Sequence, residues 1–213
     1  MNLFDVLSVG EGASATRIAG VVVGVVTNTQ DPAGLGRVKV KFPWLSESEE
    51  SSWARVATPM AGKGRGFYFL PEVEDEVLLA FEHGDARFPY VLGALWNGQD
   101  KPPENNENGE NNIRSIKSRS GHVIRLNDTD GEEKIEIIDK SGKNTIVIDT
   151  AKNTINLSSE KDITLSASKG TIKLDAQKIE IKSAADTKIQ AGAGMDVKAT
   201  ATMNVKGATV NIN

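Results

Sequence analysis

From Glu132 to Asn213, two apolar residues flanking one outward-facing position recur about every eight residues. The pairs are Ile135/Ile137, Ile146/Ile148, Ile155/Leu157, Ile163/Leu165, Ile172/Leu174 and Ile179/Ile181, then Thr187/Ile189, Met195/Val197, Met203/Val205 and Val210/Ile212. Steps between first members are 11, 9, 8, 9, 7, 8, 8, 8 and 7 residues, so the phase settles towards the C-terminus. Residues at i and i+2 of a strand point to one face, and a short fixed period is the mark of stacked strands. Glu136, Thr164, Lys173, Glu180, Lys188, Lys198 and Lys206 stand between or beside the pairs and would face water. The pattern predicts a long, narrow β-solenoid whose core is built from the Ile, Leu and Val members of these pairs.

The first half carries a different pattern. Ile18–Val26 is a β-branched run with Gly20 and Gly24, which predicts a buried strand able to coil sharply. Asn28–Gly36 is turn chemistry. Arg37–Phe42 then alternates, Val38, Val40 and Phe42 on one face, so the two runs predict a hairpin. Further strands are expected at Trp53–Ala57, Phe67–Leu70, Glu76–Phe81 and Tyr90–Leu95, with Gly62–Gly66 as a mobile loop. Short strands with Gly/Pro turns and little helical period predict a small closed barrel, for which the OB-fold is the best match in size. Residues 97–112 hold neither a β-branched nor an aromatic residue and read as a linker. The expected organisation is an arm at 1–17, a barrel at 18–96, the linker at 97–112 and a β-helix at 113–213. Within the last, two strands flank the turn at Ser120-Gly121, and a second turn, Asp128–Gly131, leads into the ladder.

Composition sharpens this division. Every aromatic residue lies between Phe4 and Trp96, which sets a compact domain ahead of a fibrous one. Residues 1–112 carry 9 basic and 16 acidic side chains, and residues 113–213 carry 16 and 13. Neither half has the basic excess of a nucleic-acid binder. No apolar run approaches the ~18 residues of a membrane span, and no basic-then-apolar leader opens the chain. Assembly in the cytoplasm without a signal peptide is therefore expected. With no cysteine there are no disulfides or thiolate metal sites.

Candidate chemistry is thin. Gly62-Lys63-Gly64-Arg65-Gly66 has the glycines of a phosphate loop, but no helix opens behind it to supply free N–H groups. Asp128-x-Asp130-Gly131 starts like a calcium loop yet lacks the third acidic position and the distal bidentate Glu. The acidic runs Glu47/Glu49/Glu50 and Glu72/Glu74/Asp75/Glu76 would be needed for paired-carboxylate hydrolysis, but like charges in polar loops are ordinarily only solvated. His83 and His122 stand far apart, each without a second ligand nearby. The expectation is a non-enzymatic chain without a cofactor, metal or small-molecule substrate.

The stretches GVVVGVVTNTQDPAGLGRVKVKFPWL and SSWARVATPMAGKGRGFYFLPEVEDEVLLAFEHGDARFPYVLGALWNG resemble the OB-fold of contractile-injection spikes, of the phage baseplate protein V and VgrG kind. SRSGHVIRLNDTDGEEKIEI and the ladder after it are similar to the start of their triple-stranded β-helix. The resemblance implies an all-β homotrimer, with an N-terminal OB-fold barrel and a C-terminal intertwined triple-stranded β-helix. It implies a membrane-puncturing part of a phage-tail-like particle, in transient contact with the target membrane. Only about 17 residues precede the barrel, so a separate baseplate hub is expected, contacted through Trp44, Trp53, Lys63, Arg65 and Phe67 or using some of them between subunits. A PAAR-like tip is expected over Val210, Ile212 and Asn213, because no capping sequence follows the last pair. A single-chain solenoid is the structural rival, and an OB-fold adhesin or glycan-binding module on a β-solenoid stalk is the functional one.

Overall fold

The computed structural model describes residues 17–45 and 49–211. The expected arm at 1–17, apart from Arg17, lies outside the described residues, as do Glu47 of the acidic loop, Ile212 and Asn213. The chain divides into two units, Met1–Lys161 and Asp162–Asn213.

In the first unit, seven strands come early: β1 (Val22–Asn28), β2 (Lys39–Lys41), β3 (Arg55–Val56), β4 (Ala61–Gly62), β5 (Arg65–Gly66), β6 (Glu76–Phe81) and β7 (Pro89–Ala94). Five of them form one sheet in the order β2-β1-β6-β7-β3. The edge strands β2 and β3 are then tied together just beyond their ends. The Val38 N–H donates to the Ala54 carbonyl at 3.0 Å and the Ala54 N–H to that of Val38 at 2.7 Å. The sheet thus curls back on itself, a closure that removes exposed edges. The alternation read in the sequence carries through, since Val38, Val40, Phe42, Val77, Leu79 and Phe81 all point into the core with Val26, Ala54 and Val91.

Gly24 has a role other than coiling. A Cβ there would lie 2.9 Å from Leu79 Cδ1 and 3.0 Å from the Lys41 carbonyl. Hydrogen at this position lets β2 and β6 close on β1 from both sides, while the irregularity in β1 falls later, between Val26 and Asn28. The turn after β1 is locked by Asp31, whose carboxylate accepts from Arg37 Nη2 at 2.7 Å and Nε at 2.9 Å, and from the N–H groups of Ala33 and Leu35 at 3.0 Å.

Two local expectations are corrected. The glycine stretch 62–66 is a hairpin rather than a loop, β4 pairing with β5 through Ala61↔Gly66 and Gly62↔Arg65. Phe67–Leu70 forms no strand, and only the Phe67 N–H joins the hairpin, donating to the Met60 carbonyl at 3.0 Å.

The unit continues with β8 (Ile113–Lys117), β9 (Val123–Asn127), β10 (Lys134–Ile138), β11 (Thr145–Asp149) and β12 (Thr154–Ser158). They pair in chain order as an antiparallel meander. Each reversal contains one residue of left-handed backbone: Gly121, Gly131, Gly142 and Asn153. The segment 97–112 does not hang free of this sheet, since Glu104 accepts from Arg125 Nη2 at 2.9 Å.

In the second unit, described to residue 211, no strand forms and the side chains are exposed throughout. The stacked strands expected at Ile163/Leu165, Ile172/Leu174, Ile179/Ile181 and beyond do not form among the described residues of the single chain.

Candidate functional site

Strand alternation and register together build the most conspicuous surface of the meander. Ile116, Ile124, Ile137, Ile146 and Leu157 are successive cross-strand partners, as are Leu126, Ile135, Ile148 and Ile155. Neighbouring strands lie about 4.8 Å apart, so these nine side chains form two unbroken apolar columns on one face. Every one of them is exposed in the single chain, from 39% at Ile148 to 75% at Ile155. The reason is simple: a one-layer sheet has no second layer to bury against. A contiguous apolar surface of this kind marks an interaction site.

The opposite face is better covered and mixes Ile113, Val123, Ile138 and Val147 with charged side chains. Arg125 Nη1 lies 3.7 Å from Glu136, and Lys134 Nζ lies 3.9 Å from the same carboxylate, whose side chain is only 12% exposed. Asp149 accepts from Lys152 Nζ at 2.9 Å, and that hydrogen bond, first among several, holds its carboxyl below the usual range. Between β10 and β11, Asp139 accepts from Ser141 Oγ at 2.7 and 2.9 Å and from the Asn144 N–H at 3.2 Å. The Ser141 hydroxyl above all keeps Asp139 ionised far below ordinary carboxylates. Charge therefore fastens the side that faces the linker, and apolar surface faces outward.

Of the expected β-helix core, Ile135, Ile137, Ile146, Ile148, Ile155 and Leu157 stand in these columns. Ile163, Leu165, Ile172, Leu174, Ile179, Ile181, Ile189, Val197, Val205 and Val210 belong to the second unit and are exposed there. Ile212 lies outside the described residues. Ile116, Ile124 and Leu126 are members that the eight-residue period did not reach. For Ile124 and Leu126 their i, i+2 spacing within VIRLN was the available signal, whereas Ile116 in IRSIK has no apolar partner at that spacing.

The expected hub contacts do not form one site. Arg65 and Phe67 share a shallow cavity with Leu35, Met60, Tyr68 and Leu70. Lys63 sits in the two-residue turn of the β4–β5 hairpin, outside that lining. Trp53 lines a neighbouring cavity with Arg55, Phe88 and Tyr90, and its ring lies beneath the Arg37 and Lys39 cations at 5.9 and 5.7 Å. Trp44 lies apart against Phe42, with ring centroids 6.0 Å away. The aromatics that fill the barrel are Phe42 and Phe81, whereas Trp44, Phe67, Tyr68, Phe69 and Trp96 are exposed. Phe67 and Phe69 stack with centroids 6.4 Å apart. Tyr68, the most exposed of these at 77%, was not among the expected contacts.

Of the residues weighed for catalysis and metal binding, Asp128, Glu72 and His122 have protein partners. Asp128 accepts from Arg114 at 2.9 Å, Glu72 pairs with Arg119, and His122 Nδ1 accepts from the Lys140 N–H at 3.2 Å. Among the described residues no three His, Cys, Asp or Glu side chains converge on a metal position, and no helix is long and apolar enough to cross a membrane.

The five-stranded sheet that curls into a barrel agrees with the OB-fold that the sequence resemblance implies, whereas residues 113–158 form an antiparallel meander within one chain. Residues 22–96 match the family model described as the type VI secretion system/phage-baseplate injector OB domain. The chain is similar to type VI secretion system spike protein VgrG5 of Pseudomonas aeruginosa, 34% identical over 137 residues, which covers 56% of this chain and 17% of that protein. It is 32% identical over 123 residues to VgrG1a of the same organism, covering 53% and 19%. Actin cross-linking toxin VgrG1 of Vibrio cholerae is 28% identical over 117 residues, covering 53% and 10%. The chain spans less than a fifth of the length of these curated relatives.

Proposed function

We propose that this chain is the central spike of a contractile injection machine. Three copies close their apolar columns against one another and wind their distal segments into a stiff triple-stranded β-helix. The observation that carries this reading is the pair of columns, uncovered in one chain and followed by a ladder of like phase without strand partners in that chain. Fully burying an aliphatic side chain is worth about 1.5–3 kcal/mol, so half-exposed columns gain substantially from a cover of the same chemistry. The count of three rests on the family resemblance.

In this reading the spike is structural and non-enzymatic, is driven through a target envelope and belongs to a phage-tail-like baseplate particle. From Gln190 onwards only Asp196, Lys198 and Lys206 are charged, which lowers the desolvation cost of entering a membrane. The exposed surface around Arg65, Phe67 and Tyr68 is offered to a separate hub protein, with Lys63, Trp53 and Trp44 at its margins or between subunits. The distal apolar residues, Val210 among them, are offered to a PAAR-like tip protein. In the producing cell, sheathed particles isolated by sedimentation should contain this chain, and Ile137→Asp should remove it from them. Particles that assemble fully without the chain would overturn the proposal.

The exposed Phe67, Tyr68 and Phe69 favour one second reading, an OB-fold adhesin that stacks sugar rings on this platform. Replacing Tyr68 and Phe69 by Ala separates the two. Loss of glycan binding with particle incorporation intact would support the adhesin; loss of incorporation supports the spike.

A further inference from the structure

We propose that the cleft bounded by Trp96, the segment 97–112, β8 and the β9–β10 turn binds a neutral saccharide, its ring stacked on Trp96 and its hydroxyls held by side-chain amides. This is a role beyond the spike reading and independent of it.

The cleft measures about 820 Å³, a size typical of small-molecule sites. Its lining holds a single aromatic side chain, Trp96, which stands just past the end of β7 and is 69% exposed. An indole beside a cavity offers a flat apolar area and one N–H donor at its rim. The backbone on both sides of it is fixed. The Leu95 N–H donates to the Glu76 carbonyl at 2.8 Å and the Asn97 N–H to the Asp100 carbonyl at 3.0 Å. Pro102, Pro103 and Ile113 add apolar wall, and asparagines supply much of the remainder.

The segment that carries these asparagines is folded rather than slack. The Asn106 carbonyl accepts from the Gly109 N–H at 3.0 Å, and its Oδ1 from the Asn111 N–H at 2.7 Å. Asn105 Nδ2 donates to Glu107 at 2.7 Å. The Asn112 carbonyl accepts from the Asp128 N–H at 2.9 Å and the Asn111 carbonyl from Arg114 Nη1 at 2.7 Å, which ties the segment to the meander. These bonds orient the amides and leave capacity over. Among the described residues, Asn105 Oδ1, Asn106 Nδ2, the Asn111 amide and the hydroxyls of Ser115 and Thr129 take no hydrogen-bond partner. An amide both donates and accepts, which suits adjacent hydroxyls, and groups already held in place cost little to order on binding.

Charge narrows the ligand class. No Lys, Arg or His lines the cleft. Of its two carboxylates, Glu104 pairs with Arg125, whereas Glu107 has only the Asn105 amide. A phosphate, nucleic acid or acidic peptide would meet a like charge and no cation. An aliphatic ligand would strand the amides without partners. A ring with an apolar face and a rim of neutral hydroxyls satisfies both the indole and the amides.

The full chain labelled with fluorotryptophan gives a direct test by fluorine NMR, since it holds three tryptophans and Trp96→Phe assigns the Trp96 line. Cellotriose, maltotriose and N-acetylated chitotriose are titrated in turn, each beside its monosaccharide. At least one should move the Trp96 line saturably, with a dissociation constant of about 0.1–1 mM, while the Trp44 and Trp53 lines stay still. Tighter binding of the trisaccharide marks a polymer segment as the ligand, and equal binding a single sugar. By calorimetry Trp96→Ala should weaken binding about tenfold or more, the worth of one stacked ring. Trp96→Phe should retain most of it, and Asn111→Ala should weaken it while the Trp96 line still moves. A Trp96 line that no sugar moves, or unchanged affinity in Trp96→Ala, would overturn the proposal. So would loss of binding in Tyr68→Ala alone, which would put the sugar on the barrel's aromatic surface. A Trp96 line without an H2O/D2O solvent shift would also overturn it, because another copy of the chain then covers the cleft. Incorporation of the same variants into sheathed particles reads the spike proposal separately.

Discussion

Gly24 shows how much one missing methyl group decides in the barrel. A Cβ at this position meets Leu79 Cδ1 at 2.9 Å and the Lys41 carbonyl at 3.0 Å, and the carbonyl cannot rotate away. Overpacking a filled core costs about 1–3 kcal/mol, so Gly24→Val should lower the denaturant midpoint of the barrel by a corresponding amount. An unchanged midpoint would mean that β2 is free to shift. At the same scale, acid should unfasten the turns in sequence. Arg37 holds the Asp31 carboxyl, Ser141 that of Asp139 and Arg87 that of Asp85, all below the ordinary value of 3.8, with Asp85 near about 2. A depressed carboxyl stabilises the folded state fully above its unfolded pKa, and that contribution disappears as pH falls through the folded one. Stability from these turns is therefore flat above pH ~4 and declines below it. An Asp31→Asn variant should show a shallower acid decline than the parent in thermal unfolding between pH 2 and 5.

Among the elements, the meander depends on its reversals and its columns in separable ways. Gly142 sits at φ 73°, a region costing an L-residue roughly 1–2 kcal/mol, so Gly142→Val should destabilise β10–β11 by about that much. Ile137→Asp leaves every backbone bond of β10 in place, and its side chain is already 46% exposed. It should therefore spare the single-chain fold but abolish association, which analytical ultracentrifugation would read as loss of the multimeric boundary. Much of this level was legible in the sequence. Val38, Val40 and Phe42 alternate as expected because one face of β2 is core, and Glu76–Phe81 falls where its pattern places it. The Gly62–Gly66 hairpin was not legible, since glycines signal a turn without saying whether the flanks pair. Nor was Tyr68, because an exposed aromatic beside two others looks in sequence like core. The apolar pairs from Ile135/Ile137 to Ile155/Leu157 stand, as read, on one face of successive strands, whereas the later pairs form no strand among the described residues. Periodicity alone could not say that this face meets nothing within its own chain.

For the whole molecule, the account turns on what covers that face. The barrel is complete within one chain, whereas the meander exposes nine apolar side chains and no strand pairing occurs among the described residues of the second unit. In the proposed reading, further copies of the same chain meet both deficits. The decisive measurement is the mass of the full chain in solution by multi-angle light scattering, across a dilution series. The account predicts a mass near three times 22.8 kDa that holds as the protein is diluted. A stable, folded species of 22.8 kDa at micromolar concentration would contradict it.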